Sequence, residues 1–485
     1  MKKIILLWLL CWTLCVTLNA QPATTPHSAK VICRFEGSKD GDTARVEIWK
    51  YNIKTPEIRR QSLAIIKNSQ VEVMMDSLNY PVYLSVFYKQ KTLRNRELYF
   101  ANPELYLVEP GDSIHINCTK TSMVFSGRGA ARMQVWDQME KLKNRILKNY
   151  PDRISKDYRN KLYDFYDESL TTKMAFLKTY QKRISRIAYQ LLQADAFAVN
   201  MLARLPYFEL KNIIRDSGTT VEDYGALYLR FSSIRTPFPI NEKDAILAHS
   251  FYYTNLLMRR HMTDSFRMMG KPFNVMDCYE QIKRKYTGIL RDNLLTCLIE
   301  RHKASDNVLN CFQDALLTVK DPELKEVLHK LYQNNQKGNI VFDFSLRDTT
   351  NKLVRLSDFK NKIVLLDIWF TGCIPCMSTS KALEAVETLF KENKDMVFIG
   401  ISTDRDKAVW LKSVRKGWYS SPFRINLFTD QKGEIDPFIQ YYDIHTYPTL
   451  MLVDRKGNLY SGALPNPLSD KGQGIISVIN KALAQ

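Results

Sequence analysis

The sequence is sparing with glycine and proline, 18 of each in 485 residues, which excludes a collagen-like or low-complexity chain. Long apolar runs are missing beyond the first 20 residues, and the mean hydropathy is −0.29. A multi-span membrane protein, which needs about 20 apolar residues per span, is therefore excluded. No fixed-period repeat recurs, so a regular solenoid is excluded as well. Cysteine is limited to nine residues that follow no spacing outside one close pair, unlike a disulfide framework. What remains is an ordinary folding composition, 45% hydrophobic and 25% charged, long enough for about three domains.

Residues 1–20 place Lys2 and Lys3 ahead of an apolar run from Ile4 to Leu18, with Leu18 and Ala20 before a cleavage point. This is the charged start and apolar core of a secretory signal peptide. The alternative is an uncleaved N-terminal membrane anchor. Either way the chain is expected to be exported to a periplasm or cell envelope, where disulfides can persist. Cys33, Cys118, Cys278, Cys297 and Cys311 read as small buried hydrophobes.

Three segments follow. In residues 28–125, Val31, Cys33 and Phe35 alternate, as do Val46 and Ile48. Val71–Val73, Val82–Tyr88, Leu98–Phe100 and Ile114–Ile116 add short strand candidates, and Glu109-Pro-Gly-Asp is a turn. An antiparallel β-sandwich of seven or eight strands is expected. Residues 127–335 change to helical periodicity, with Met133, Trp136, Met139, Leu142 and Ile146 on one stripe and Ile184, Ile187, Leu191 and Leu192 on another. An all-α domain is expected there. Residues 336–485 mix strand and helix signals, which makes the whole a multidomain α+β chain. The net charge of +19 is concentrated in the helical middle. Lysines and arginines around helices such as Lys173–Arg186 show no binding motif, so they read as solvated faces, with an acidic partner as the alternative and no nucleic acid.

The chemistry sits in the last segment. Ile363–Phe370 is an apolar run suited to a central strand, ending at Thr371-Gly372 and Cys373-Ile374-Pro375-Cys376, after which Met377–Phe390 reads as a helix. A thiol at a helix N-terminus meets unpaired N–H groups and the positive end of the dipole, both favouring thiolate. Cys373 is expected to be the exposed nucleophile and Cys376 the thiol that resolves the mixed disulfide. Asp367, in the apolar strand, is expected to be a buried carboxyl of raised pKa that relays a proton to or from Cys376. A carboxylate satisfied by backbone is the plainer alternative. A structural zinc would need two more ligands, and only His445 follows the pair. No metal and no cofactor is expected.

Met396–Ser402 reads as a strand, Asp404–Trp418 as a helix and Ile425–Phe428 as a strand. Tyr447-Pro448-Thr449 then precedes strand signals at Leu450–Val453 and Leu459–Tyr460. With Cys-x-x-Cys between strand and helix, this order resembles the thioredoxin fold, and within it the TlpA/ResA-like envelope thiol:disulfide oxidoreductases. The upstream segments add a similarity in architecture to large AhpC/TSA-class envelope proteins. The resemblance implies a thioredoxin-like domain over 336–485, with Cys373 as nucleophile, Cys376 as resolving cysteine and Asp367 as the buried acid. It also implies a cis-Pro448, with Tyr447, Trp369, Ile374 and Pro375 on the client-binding side. The implied partners are client proteins with disulfides or thiols and a membrane or envelope electron donor, with the chain working as a reductase.

The chain departs from that family in its Ile-Pro dipeptide, in Thr371-Gly372 before the first cysteine, and in Ser378-Thr379 after the second. These neighbours bear on reduction potential. Two other readings stand beside it. A peroxiredoxin-like peroxidase would need Pro and Thr or Ser where Leu366 and Phe370 stand. A client-binding or copper-handling protein would recruit His445 to the two thiolates.

Overall fold

The structure, a computed structural model, describes residues 27–485 apart from 56–57, 92–96, 101–104, 120–121, 151–157, 205–244, 263–272, 304–307 and 463. The expected signal segment 1–20 lies outside the described residues.

The first layer is a two-sheet β-sandwich. Its strands are β1 (Ala29–Phe35), β2 (Thr43–Trp49), β3 (Arg59–Ile65), β4 (Gln70–Met75), β5 (Val82–Lys91), β6 (Glu97–Phe100), β7 (Tyr106–Val108), β8 (Ser113–Cys118) and β9 (Met123–Arg128). One sheet runs β4-β1-β8-β9 and the other β3-β2-β5-β6, with β7 also on β5. Alternate residues of β1, β4 and β8 point inward, as period-two side-chain geometry requires. The expected antiparallel sandwich of seven or eight strands is thus corrected. Among the described residues nine strands form it, and β1 pairs with β8 in parallel. The missed β3 opens on Arg59-Arg60-Gln61, polar residues that hide a strand from hydrophobic patterning.

Helices α1 (Ala130–Leu147), α2 (Tyr158–Lys178), α3 (Arg186–Arg204), α4 (Phe251–Met262), α5 (Val275–Lys285), α6 (Gly288–His302), α7 (Val308–Thr318) and α8 (Pro322–Asn335) make the middle. The stripe of α1 buries Met133, Trp136 and Met139 in the same core as the sandwich residues Val31 and Val108. A continuous core therefore crosses the boundary expected near residue 126. The second expected stripe is only half buried: Leu191 and Leu192 are inside, Ile187 is exposed, and Ile184 precedes α3. The segment 173–186 is broken by a turn between α2 and α3. Lys173 is not on a solvated face but is buried against Glu140. Arg132 likewise pairs with Glu109 at 2.7 Å, so some of the basic side chains neutralise internal carboxylates. Among the described residues, the five cysteines outside the pair are free and buried.

The last unit is a seven-stranded sheet in the order β11-β10-β14-β13-β12-β15-β16. It comprises β10 (Ser345–Asp348), β11 (Leu353–Arg355), β12 (Ile363–Trp369), α9 (Ile374–Phe390), β13 (Met396–Ser402), α10 (Lys407–Arg415), β14 (Arg424–Phe428) and α11 (Pro437–Tyr441). β15 (Thr449–Val453), β16 (Leu459–Ser461), α12 (Pro467–Asp470) and α13 (Gln473–Leu483) complete it. Every residue of β12 is buried, because helices cover both faces of the sheet. Leu365, Phe398 and Leu452 join Leu383 of α9 and Ile475 of α13 in one cluster. Leu366, Ile368 and Ile399 join Phe438 and Ile439 of α11 in the other. Helix α10 starts at Lys407 rather than Asp404, because the Asp406 carboxylate caps the N–H groups of Ala408 and Val409. No helix among the described residues is long and apolar enough to cross a membrane.

Gly472 ties α13 to α9. Its φ is +84°, and a β-carbon there would stand 2.6 Å from Cγ2 of Val386. Both the left-handed backbone and the stiff valine oppose a side chain. Gly472→Ala is expected to lower stability by about 1–3 kcal/mol, read from urea denaturation. An unchanged midpoint would show that α9 and α13 can separate at no cost.

Candidate functional site

Strand β12 delivers its chain to a turn, Phe370–Gly372, in which Gly372 has φ +99°. Cys373 is the N-cap of α9, and its Sγ accepts a hydrogen bond from the Cys376 N–H at 3.1 Å. Pro375 lies in the first turn, where its missing N–H removes no helical bond. Cys373 and Cys376 are joined as a disulfide with Cα atoms 5.2 Å apart. When the bond opens, a Cys373 thiolate inherits the helix N-terminus and that N–H donor, which lower its proton affinity.

The turn is held from behind. Asp404 accepts from the Thr371 N–H at 2.9 Å and from its hydroxyl at 2.7 Å, and Ser402 donates to the same carboxylate at 2.9 Å. The Gly372 N–H donates to the Tyr419 hydroxyl at 2.8 Å, and the Tyr419 ring lies flat on Trp369 at 4.7 Å. This aromatic packing produces two corrections. Cys373, expected to be exposed, keeps only 5% of its surface, and Trp369, expected on the client side, is wholly buried. Ile374 and Pro375 are exposed beside the disulfide, and Phe370 is partly so. Those side chains, not Trp369, form the apolar rim.

The Tyr447–Pro448 peptide is cis. Strand β15 pairs antiparallel with β12, Thr449 opposite Ile368, which brings Pro448 to the end of the sheet where the cysteine turn begins. The half-buried Tyr447 packs against the cluster containing both cysteines, and its ring meets Phe370 edge-on at 5.1 Å.

Asp367 is 2% exposed. Its Oδ2 accepts from Nη1 of Arg424 at 2.5 Å, while Oδ1 has no hydrogen-bond partner. Burial pushes the carboxyl up to about 6, with Arg424 pulling down and Glu387 pushing up. The plainer expectation, satisfaction by backbone, is not met: the partner is a guanidinium. Arg424 also donates from Nη2 to Glu387 at 2.5 Å and from Nε at 2.9 Å, and Ser421 donates to the other Glu387 oxygen. Asp367, Arg424 and Glu387 thus form a buried carboxylate–guanidinium–carboxylate row that links β12 to α9. Glu387 carried a sequence signal, since it shares a helical face with Leu383, Val386 and Phe390. Arg424 carried none, as its pairing with Asp367 spans 57 residues.

His445 Nε2 lies 3.1 Å from the Lys54 carbonyl and 2.7 Å from Asp443, while Nδ1 lies 3.5 Å from Arg59. Both ring nitrogens are thus occupied away from the thiol pair. Among the described residues, no three His, Cys, Asp or Glu side chains gather as metal ligands.

A disulfide capping a helix after a central strand, faced by a cis-proline, defines a protein of the thiol–disulfide exchange class. Residues 361–459 match the model of the thioredoxin-like family. The thioredoxin-like protein YneN of Bacillus subtilis is 30% identical over 122 residues, 25% of this chain and 68% of its own length. The thiol-disulfide oxidoreductase ResA of Bacillus thuringiensis is 29% identical over 117 residues, 24% of this chain and 63% of its own. The chain therefore spans about two thirds of the length of these curated relatives. Among solved structures, the thioredoxin domain of a thiol-disulfide oxidoreductase from Bacteroides vulgatus is 27% identical with a TM-score of 0.27, covering 30% of this chain and 96% of that one. A thiol:disulfide interchange protein from Bacteroides sp. is 26% identical with a TM-score of 0.27, covering 31% and 93%. The chain belongs to the thioredoxin-like family.

Arg424→Met strands Asp367 and Glu387 without their cation. Stability is expected to fall by about 3 kcal/mol at pH 8, the cost of breaking a buried ion pair. The loss should shrink below pH 6, because protonated Asp367 no longer needs the guanidinium. Urea unfolding at pH 5 and 8 checks both, and a pH-independent loss would refute the charge row.

Proposed function

We propose that this chain is an exported thiol:disulfide oxidoreductase that reduces client protein disulfides through Cys373 and Cys376. The observation that carries the reading is the disulfide at the head of α9, facing cis-Pro448 and backed by the buried Asp367.

The Cys373 thiolate attacks one sulfur of a client disulfide. An S–S bond forms between enzyme and client, and the client's second sulfur leaves as thiolate. The Cys376 thiol then loses its proton, through Asp367, and attacks Sγ of Cys373. The client departs with both cysteines reduced, and the enzyme is left as the Cys373–Cys376 disulfide. Two electrons have passed to the client, and an envelope or membrane dithiol donor restores the enzyme. Asp367 suits the relay, since a carboxyl near 6 both accepts and returns a proton near neutral pH. The exposed Ile374 and the Tyr447–Pro448 backbone are where an extended client segment would lie. Export rests on residues 1–20, and the reductase direction on the TlpA/ResA resemblance.

Cys373→Ser is expected to abolish insulin reduction, whereas Cys376→Ser should accumulate mixed disulfides on Cys373. Failure of the second variant to trap any disulfide substrate would sink the two-step route. A reduction potential near the roughly −120 mV of strong oxidants would reverse the direction. Raising pH through about 6 ionises Asp367, so the exchange rate should climb there. Asp367→Asn should remove that inflection and slow exchange at pH 7 by about a hundredfold. An unchanged pH–rate profile would dismiss the relay.

A further inference from the structure

The segment that carries Tyr447 and Pro448 to the disulfide is tied to both upstream units. From the helical middle, Nζ of Lys303, just past α6, donates to the Asp443 carboxylate at 2.8 Å and to the Asp443 carbonyl at 2.7 Å. Asp443 is almost fully buried, so this cation satisfies a carboxylate that water does not reach. Glu300 of α6 is buried at the same junction, with Asp443, Lys303 and Lys54 as electrostatic neighbours. From the sandwich, the Lys54 carbonyl and the Arg59 guanidinium hold the two ring nitrogens of His445. Arg59 is itself oriented: it pairs with Glu47 of β2 at 3.0 Å, lies over the Trp49 ring at 4.7 Å and reaches Glu434 at 3.9 Å. Two remote parts of the chain therefore converge on residues 443–445, shortly before the cis peptide.

We propose that the sandwich and the helical middle act as a brace for the client-facing loop, with Lys303 and Arg59 as positioning residues that fix Tyr447–Pro448 against the disulfide. This rests on the reading of that loop as the client side. A peptide backbone that must pair with an incoming strand binds more tightly when its conformation is already set, since less ordering is lost on association. The brace acts on client binding and leaves the sulfur chemistry to Cys373 and Cys376. The upstream units thus have a mechanical part in the reaction.

The full-length protein is compared with Lys303→Met and, as a milder second variant, Arg59→Lys, by amide hydrogen exchange and by steady-state insulin reduction. Exchange over residues 443–450 is expected to quicken about tenfold while β13 stays protected. KM for insulin should rise about fivefold with kcat changed by less than about twofold, and Lys303→Arg should restore both. Unchanged exchange over 443–450 in both variants overturns the brace, and faster exchange with an unchanged KM overturns its link to clients. If the unaltered protein reduces no disulfide, the oxidoreductase reading fails, while the exchange measurement still decides whether the brace exists.

Discussion

Antiparallel pairing of β15 with β12, Thr449 opposite Ile368, is the constraint from which the site follows. It places the cis-proline and the cysteine turn at the same end of one sheet, although 72 residues separate Cys376 from Pro448. Parallel pairing with β13 on the other flank puts Asp367 opposite Gly400, in the middle of the sheet and away from water. A one-residue slip in either ladder would turn Asp367 to the opposite face. Register, more than any single contact, sets the geometry available to the sulfur atoms.

Three of the charged side chains buried in this unit form one row. One guanidinium lies between two carboxylates, all three essentially without exposure. Buried ions are costly to desolvate, and their mutual attraction offsets that cost only when the geometry is good. Here a single cation serves Glu387 on the catalytic helix and Asp367 on the strand that precedes it. One Asp367 oxygen is left without a partner, so desolvation still dominates and the carboxyl holds its proton more tightly than an exposed one.

Charge is used in the same way in the upstream units. Lys173 with Glu140, and Arg132 with Glu109 and Asp112, are internal pairs, so some of the basic side chains serve the interior rather than the surface. At the junction with the redox unit, Lys303 and Arg59 meet Asp443 and His445. A polar contact of this kind holds two bodies in one orientation, where an apolar one would tolerate sliding.

Local patterns in the chain were enough for the redox unit. An apolar run, a Cys-Ile-Pro-Cys junction, a helix and a Tyr-Pro-Thr before a strand are all short-range signals. Cys373 and Cys376 close a disulfide at the head of α9, and the Tyr447–Pro448 peptide just before β15 is cis. Six strands of the sandwich were legible from their side-chain pattern; β3 was missed where polar residues mask the period, and the short β7 and largely exposed β9 were missed too. Tertiary structure alone decided the rest. It stacked Trp369 on Tyr419, buried most of Cys373 in the same cluster, ran β1 parallel to β8, and joined Arg424 to Asp367. It also turned His445 toward the upstream units. The division has one physical cause: periodicity and helix capping act between residues a few positions apart, whereas burial and ion pairing depend on which distant segments the sheet registers bring together.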